Sequence, residues 1–280
     1  MMQRGSVFLS QTVVQFELPS PERLVLPGVR WGAIDAFPTP AYWAYQVLAR
    51  RVCCSSIRYR LGETLAEEVG ACLLGGHGIP SNVGLAAFKN LKSKGAFASA
   101  TKEDELLDVL SRPLEVNGKA ILYRFARQKS RYIASALSRL AEEVPPTGTG
   151  RELRDWLLAL PGIGYKTASW ITRNWLDADD VAILDIHVLR AGALAGFFEP
   201  ELTVERDYLQ LEEQFLKFSN AIGVRASELD AVIWLEMMSS SATVRNLFDG
   251  RLGKVQKGRQ FSRRTAHKRH ADANQACLID

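Results

Sequence analysis

Apolar residues recur at three- and four-residue intervals along most of this chain. Ala41, Tyr45, Leu48 and Val52 fall on one helical face, as do Leu65, Val69 and Leu73. The spacing returns in Ile133, Leu137 and Leu140, in Leu153, Trp156, Leu157 and Leu160, and in Leu211, Phe215, Phe218 and Ile222. Breaks fall at 75–80, 113–118, 145–150 and 161–164, each holding both glycine and proline. Ser81 and Ser227 stand where helix N-caps are expected. Val14, Phe16 and Leu18 alternate with Gln15 and Glu17, the period of a strand or an extended arm. The proline-rich stretch 19–40 reads as a connection over the surface, and no internal repeat is evident. About ten helices without a clear sheet predict an all-α fold.

Composition narrows the class. With 280 residues, 47% of them hydrophobic, the chain can bury the core of one large domain or two small ones. It holds no apolar run of ~20 residues and opens on no basic-then-apolar leader, so a cytoplasmic protein without a membrane span is expected. Cys53, Cys54, Cys72 and Cys277 are spaced for neither a zinc site nor a disulfide framework and read as reduced thiols. The net charge of +4 is unevenly spread. Arg251, Lys254, Lys257, Arg259, Arg263, Arg264, Lys268 and Arg269 crowd a stretch with no acidic residue, and the rest of the chain is slightly acidic. Such a tail either adds salt-dependent, sequence-independent affinity for nucleic acid or only keeps the chain in solution.

One string carries chemistry. Leu160-Pro161-Gly162-Ile163-Gly164-Tyr165-Lys166 places a Pro-Gly-x-Gly turn between two helical patterns, where outward backbone amides bind phosphate. Lys166 sets an amine just past that turn, and Asp185 follows nineteen positions later. A neutral lysine amine attacks an electrophilic carbon, and a carboxylate stabilises positive charge developing on a sugar. Each residue also has a plainer role: Lys166 as a phosphate contact, Asp185 as the N-cap of the helix opening at Ile186. The helix 165–175 packs through Ala168, Ile171 and Trp175.

Hairpin, lysine and aspartate at this spacing resemble the helix-hairpin-helix DNA glycosylase superfamily. The closer resemblance is to its lysine-bearing 8-oxoguanine DNA glycosylase/AP lyases of the short bacterial and archaeal branch, over roughly residues 60–240. The resemblance implies two helical subdomains with a DNA-binding cleft between them. On this sequence they would be a central one at 60–150 and a catalytic hairpin subdomain at 151–250 that residues 1–59 join, followed by the tail at 251–280. It makes Lys166 the nucleophile that forms a Schiff base and Asp185 its electrostatic partner. Gly162 and Gly164 become the DNA anchor, and Arg190 a DNA contact or a local ion-pair partner. It also implies that the carbonyls of Leu158, Leu160 and Ile163 hold a structural monovalent cation. No cofactor is required, and no iron–sulfur cluster is expected, because only Cys277 follows the catalytic region.

The target base must leave the duplex to reach the lysine. The resemblance puts the side chain that fills the vacated space in the 75–82 turn, with His77 the first candidate and Ile79 the second. Leu229-Asp230-Ala231-Val232-Ile233-Trp234 is similar to the last helix of the short branch. Trp234 would stack on the flipped base, or be a core residue; Asp230 would contact the base or cap the helix. The chain departs from that branch by continuing past this helix into the basic tail. The expected protein is a monomer acting on damaged double-stranded DNA of the nucleoid. A glycosylase for another modified purine and a non-catalytic hairpin DNA-binding protein remain the alternatives.

Overall fold

The computed structural model describes residues 1–53, 60–76 and 78–239. They form ten helices and three two-stranded antiparallel sheets, so the chain is mainly helical as its periodicity predicts. The contacts group the described residues into two units, residues 1–53 with 184–239 and residues 60–183.

The first unit opens with a hairpin, β1 (Gln3–Leu9) and β2 (Thr12–Leu18), in the register Val7↔Val14. Its alternation is therefore that of a paired strand, with Val7 and Leu18 buried. β3 (Leu24–Leu26) and β4 (Val29–Arg30) follow. Their segment was expected to cross the surface. Instead Val29 and Trp31 are buried, and Gln3 pins the stretch by donating to the carbonyls of Pro19 and Gly32 and accepting from the Ile34 amide. Helix α1 (Pro40–Cys53) buries Ala41, Trp43, Ala44 and Val47, a face rotated from the Ala41–Tyr45–Leu48 stripe that periodicity favoured. Tyr45 and Leu48 are only half-buried, and the Tyr45 hydroxyl ties the helix to β1 by donating to the Ser6 carbonyl at 2.6 Å.

The second unit begins with α2 (Leu65–Leu74) and α3 (Ser81–Ser93), then α4 (Glu103–Leu110). A short hairpin, β5 (Leu114–Val116) and β6 (Lys119–Ile121), turns at Asn117-Gly118, both at positive φ. The sequence reading took that stretch for a plain break. The helices α5 (Ala126–Glu142), α6 (Gly150–Leu157) and α7 (Tyr165–Leu176) complete the unit. Leu153, Leu157, Leu160, Ile163, Ala168 and Ile171 share one core with Val69, Leu73, Phe88 and Ile133. That shared core groups the hairpin helices with the central helices, and the boundary falls at 183/184 rather than near 150.

The chain then returns to the first unit with α8 (Ile186–Ala195), α9 (Tyr208–Ala221) and α10 (Ala226–Ser239). Phe197 stacks on Phe218 at 3.8 Å, and α10 packs against both α8 and α1. Arg50 of α1 donates to Glu236 of α10 at 2.8 Å, beside the Tyr42 hydroxyl. Ser81 and Ser227 both lie inside their helices rather than capping them: Pro80 precedes the first, and the second helix already begins at Ala226.

A buried carboxylate holds the second unit together. Glu68 accepts from the amides of Leu61 and Gly62 at 2.8 and 2.7 Å, and from the Asn174 side chain at 2.8 Å. It joins the segment before α2 to the end of α7. Replacing Glu68 by alanine leaves buried donors without acceptors, at a cost of about 2–4 kcal/mol. Thermal unfolding of Glu68→Ala is therefore expected to show a melting temperature several degrees lower. An unchanged melting temperature would show that these donors are satisfied without the carboxylate.

Candidate active site

The hairpin is built from its two ends inward. Thr149 and Glu152 form a capping box at the start of α6, the hydroxyl accepting from the Glu152 amide and the carboxylate from the Thr149 amide. Asp180 accepts from the Arg151 amide at 3.0 Å and adds a second carboxylate to that helix end. After α6 the chain tightens through Leu160 N–H to the Leu157 carbonyl and Ile163 N–H to the Leu160 carbonyl. Leu160 and Ile163 point into the core, while Pro161, Gly162 and Gly164 are exposed. Two apolar anchors thus hold a turn whose glycines face outward.

The two glycines do different work. Gly162 has φ +81°, and a Cβ there would stand 2.2 Å from the ring of Tyr132 on α5. Only glycine allows both the backbone conformation and that close approach. Gly164 is the N-cap of α7 in ordinary extended backbone, and a Cβ there would meet nothing within 4 Å. It brings no side chain to the first-turn amides, and a helix N-terminus of that kind attracts anions. Lys166 is the second residue of α7 and is exposed. Behind it Ala168 and Ile171 are buried, and Trp175 packs against the core under the Arg60 guanidinium, 3.5 Å away. The hairpin therefore presents a primary amine in the first turn of α7, two residues beyond Gly164.

Asp185 belongs to the first unit. It is buried and caps α8, its Oδ1 accepting from the amides of His187 at 2.8 Å and Val188 at 3.1 Å. The preceding amide, Leu184 N–H, donates to the Tyr208 hydroxyl and fixes the entry into the helix. Arg190 is exposed on the same helix. α10 packs on α8 and carries Asp230, which is buried, and Trp234, which is half-buried. Asp230 is the fifth residue of α10 and so does not cap it.

Lys166, Gly162, Gly164, Leu158, Leu160 and Ile163 thus come together in the second unit, and Asp185, Arg190, Asp230 and Trp234 in the first. His77 lies outside the described residues. The turn around it is held by residues the sequence reading did not single out. Tyr123 donates to the Leu74 carbonyl at 2.6 Å, and the half-buried amine of Lys129, its pKa lowered by burial, donates to the Gly75 carbonyl at 3.3 Å. Tyr132 behind Gly162 and Asp180 under α6 were also missed. Nothing in the local pattern marks them, because each meets its partner about thirty or more residues away in the chain.

Comparison with known proteins identifies the family. A family described as 8-oxoguanine DNA glycosylase matches residues 58–224. The 8-oxoguanine DNA glycosylase/AP lyase of Methanocaldococcus jannaschii is 32% identical over 136 residues, 47% of this chain and 65% of that protein. The protein of the same name from Thermoplasma acidophilum is 33% identical over 121 residues, 41% of this chain and 56% of its own length. The alignments therefore span less than two thirds of either relative. Among solved structures, the 8-oxoguanine DNA glycosylase of Thermotoga maritima superposes with a TM-score of 0.52 at 25% identity, covering 70% of this chain and 95% of that one. With the family matched over more than half its length, and with the hairpin, lysine and capped aspartate in place, this chain belongs to the helix-hairpin-helix 8-oxoguanine DNA glycosylase family.

Proposed function

We propose that this protein is a DNA glycosylase with AP lyase activity that removes 8-oxoguanine from duplex DNA. The observation that carries the reading is Lys166, an exposed amine in the first turn of α7, directly after a glycine turn suited to phosphate. The names of its relatives, 8-oxoguanine DNA glycosylase/AP lyase, supply the substrate.

In this reading the Lys166 amine, in its neutral form, attacks the sugar C1′ as the bond from C1′ to the base breaks. The base leaves with the bonding pair and is protonated. Positive charge on the sugar in that step is stabilised by the Asp185 carboxylate. Opening of the sugar ring gives a Schiff base between Lys166 and C1′, and loss of a C2′ proton then expels the 3′ phosphate. Trp234 stacks on the extruded base and Asp230 lies on the same helix to recognise it. Gly162 and Gly164 anchor a phosphate, and Arg190 meets the backbone. The carbonyls of Leu158, Leu160 and Ile163 suit a structural monovalent cation. Leu160 already accepts from the Ile163 amide, and a carbonyl oxygen has a second lone pair for a cation. Such an ion shapes the hairpin and takes no part in the chemistry.

Borohydride added to protein and a duplex carrying 8-oxoguanine is expected to trap a covalent adduct, and Lys166→Gln is expected to lose the adduct while still binding DNA. A full-strength adduct in that variant would exclude Lys166 as the nucleophile. Asp185→Asn separates charge from capping, because asparagine also caps helices well. Its melting temperature should stay close to wild type while excision falls about 10²–10⁴-fold. Excision at the wild-type rate would leave Asp185 a cap only. A panel of duplexes with other modified purines in place of 8-oxoguanine tests the choice of base.

The glycines give a second test. Gly164→Ala puts a methyl into open space at an ordinary φ, so stability should hold while duplex affinity falls, because the methyl stands where the phosphate approaches. Gly162→Ala meets the Tyr132 ring at positive φ and should lower stability by about 1–3 kcal/mol. If Gly164→Ala binds DNA like wild type, the turn is not the phosphate anchor.

A further inference from the structure

The start of α5 carries a row of arginines that the catalytic reading does not use. Arg124, Arg127 and Arg131 line a groove of about 540 Å³ together with Phe125, Gln128 and Glu103. All three arginines are exposed, and none is ion-paired among the described residues. The Arg124 guanidinium lies 5.1 Å from the Phe125 ring and that of Arg131 5.6 Å from the Tyr132 ring, so two of the three are held against aromatic faces. Glu103 is the single carboxylate in the lining. Three like charges kept together without partners are costly unless an anion meets them.

We propose that this groove is a phosphate track for the DNA strand that the hairpin anchors. The proposal rests on the glycosylase reading for its partner but not on the chemistry at Lys166. Two features favour duplex DNA over other anions. The track joins the hairpin: Gln128 donates to the Tyr132 hydroxyl at 3.0 Å, and the Tyr132 ring is the surface against which Gly162 packs. The length also fits. Arg127 and Arg131 are about one helical turn apart on α5, roughly 6 Å at helical rise, and Arg124 stands in the turn just before the helix. A DNA strand carries a phosphate per ~3.4 Å of helix axis, so three arginines meet roughly three phosphates. Planar guanidinium groups bind phosphate oxygens in pairs, and at these positions they carry no base information.

The test is duplex affinity measured by fluorescence anisotropy across a salt series, for wild type, the Arg124→Gln/Arg127→Gln/Arg131→Gln triple variant and Glu103→Gln. Glutamine keeps helix propensity, and a melting curve for each variant confirms the fold. The triple variant should bind roughly tenfold to a hundredfold more weakly at low salt. Its log–log salt slope should be shallower by about 2–3, near 0.9 for each phosphate released. Glu103→Gln should bind more tightly, because it removes the one opposing charge. A triple variant with the wild-type slope would overturn the track and assign the arginines to another anionic partner. Borohydride trapping with wild-type protein reads the glycosylase proposal separately. An adduct with an unchanged slope sinks the track alone, and a changed slope without an adduct sinks the catalytic reading alone.

Discussion

The packing of the Tyr132 ring against the bare backbone of Gly162 is the contact on which the hairpin depends. The turn has to reverse the chain within a few residues, hold a left-handed conformation and keep its amides outward. It does so because an aromatic ring from α5 fills the space where any other residue would have a side chain. Leu160 and Ile163 anchor the same turn from inside. With ring and anchors in place, α7 starts at a fixed point, and the position of Lys166 follows from it. The contact also makes α5 part of the hairpin, so the arginines at its start extend a surface that begins at the glycines.

Asp185 is fixed in place by the helix that it opens. As the N-cap of α8 it accepts from two amides, which hold its carboxylate in one orientation. The capping role that the sequence suggests for this residue is present, and the proposed catalytic role would use the same fixed carboxylate.

The sequence shows its helices because each buries one stripe, and it shows the hairpin because Pro-Gly-x-Gly-x-Lys leaves few other conformations. The α1 stripe is harder to read: Trp43 is buried between the positions that periodicity selects, so tertiary packing, not spacing, sets the face. The β5–β6 hairpin is short enough for its Asn117-Gly118 turn to read as a break. Glu68, Tyr132 and Asp180 could not be read at all. A glutamate in a helix looks like a solvated charge until the amides of Leu61 and Gly62 and the side chain of Asn174 are seen to converge on it. The unit boundary was misplaced for a similar reason. Breaks in the sequence mark turns, and only the shared core reveals that α6 and α7 belong with the helices before them.

The order in which the chain leaves the ribosome gives the discontinuous first unit a consequence of its own. Residues 60–183 emerge as one continuous stretch. The first unit does not: Tyr42 and Glu236, which bond across α1 and α10, are 194 residues apart. At ~5–20 residues per second, α1 waits roughly 10–40 s for α10 to be made. Through that interval Trp43 has Phe37 and Tyr42 against it and α1 has β1 and β2, but the face that meets α10 stays uncovered. The α10-facing side of α1 is therefore the last part of that helix to be covered as the chain is made.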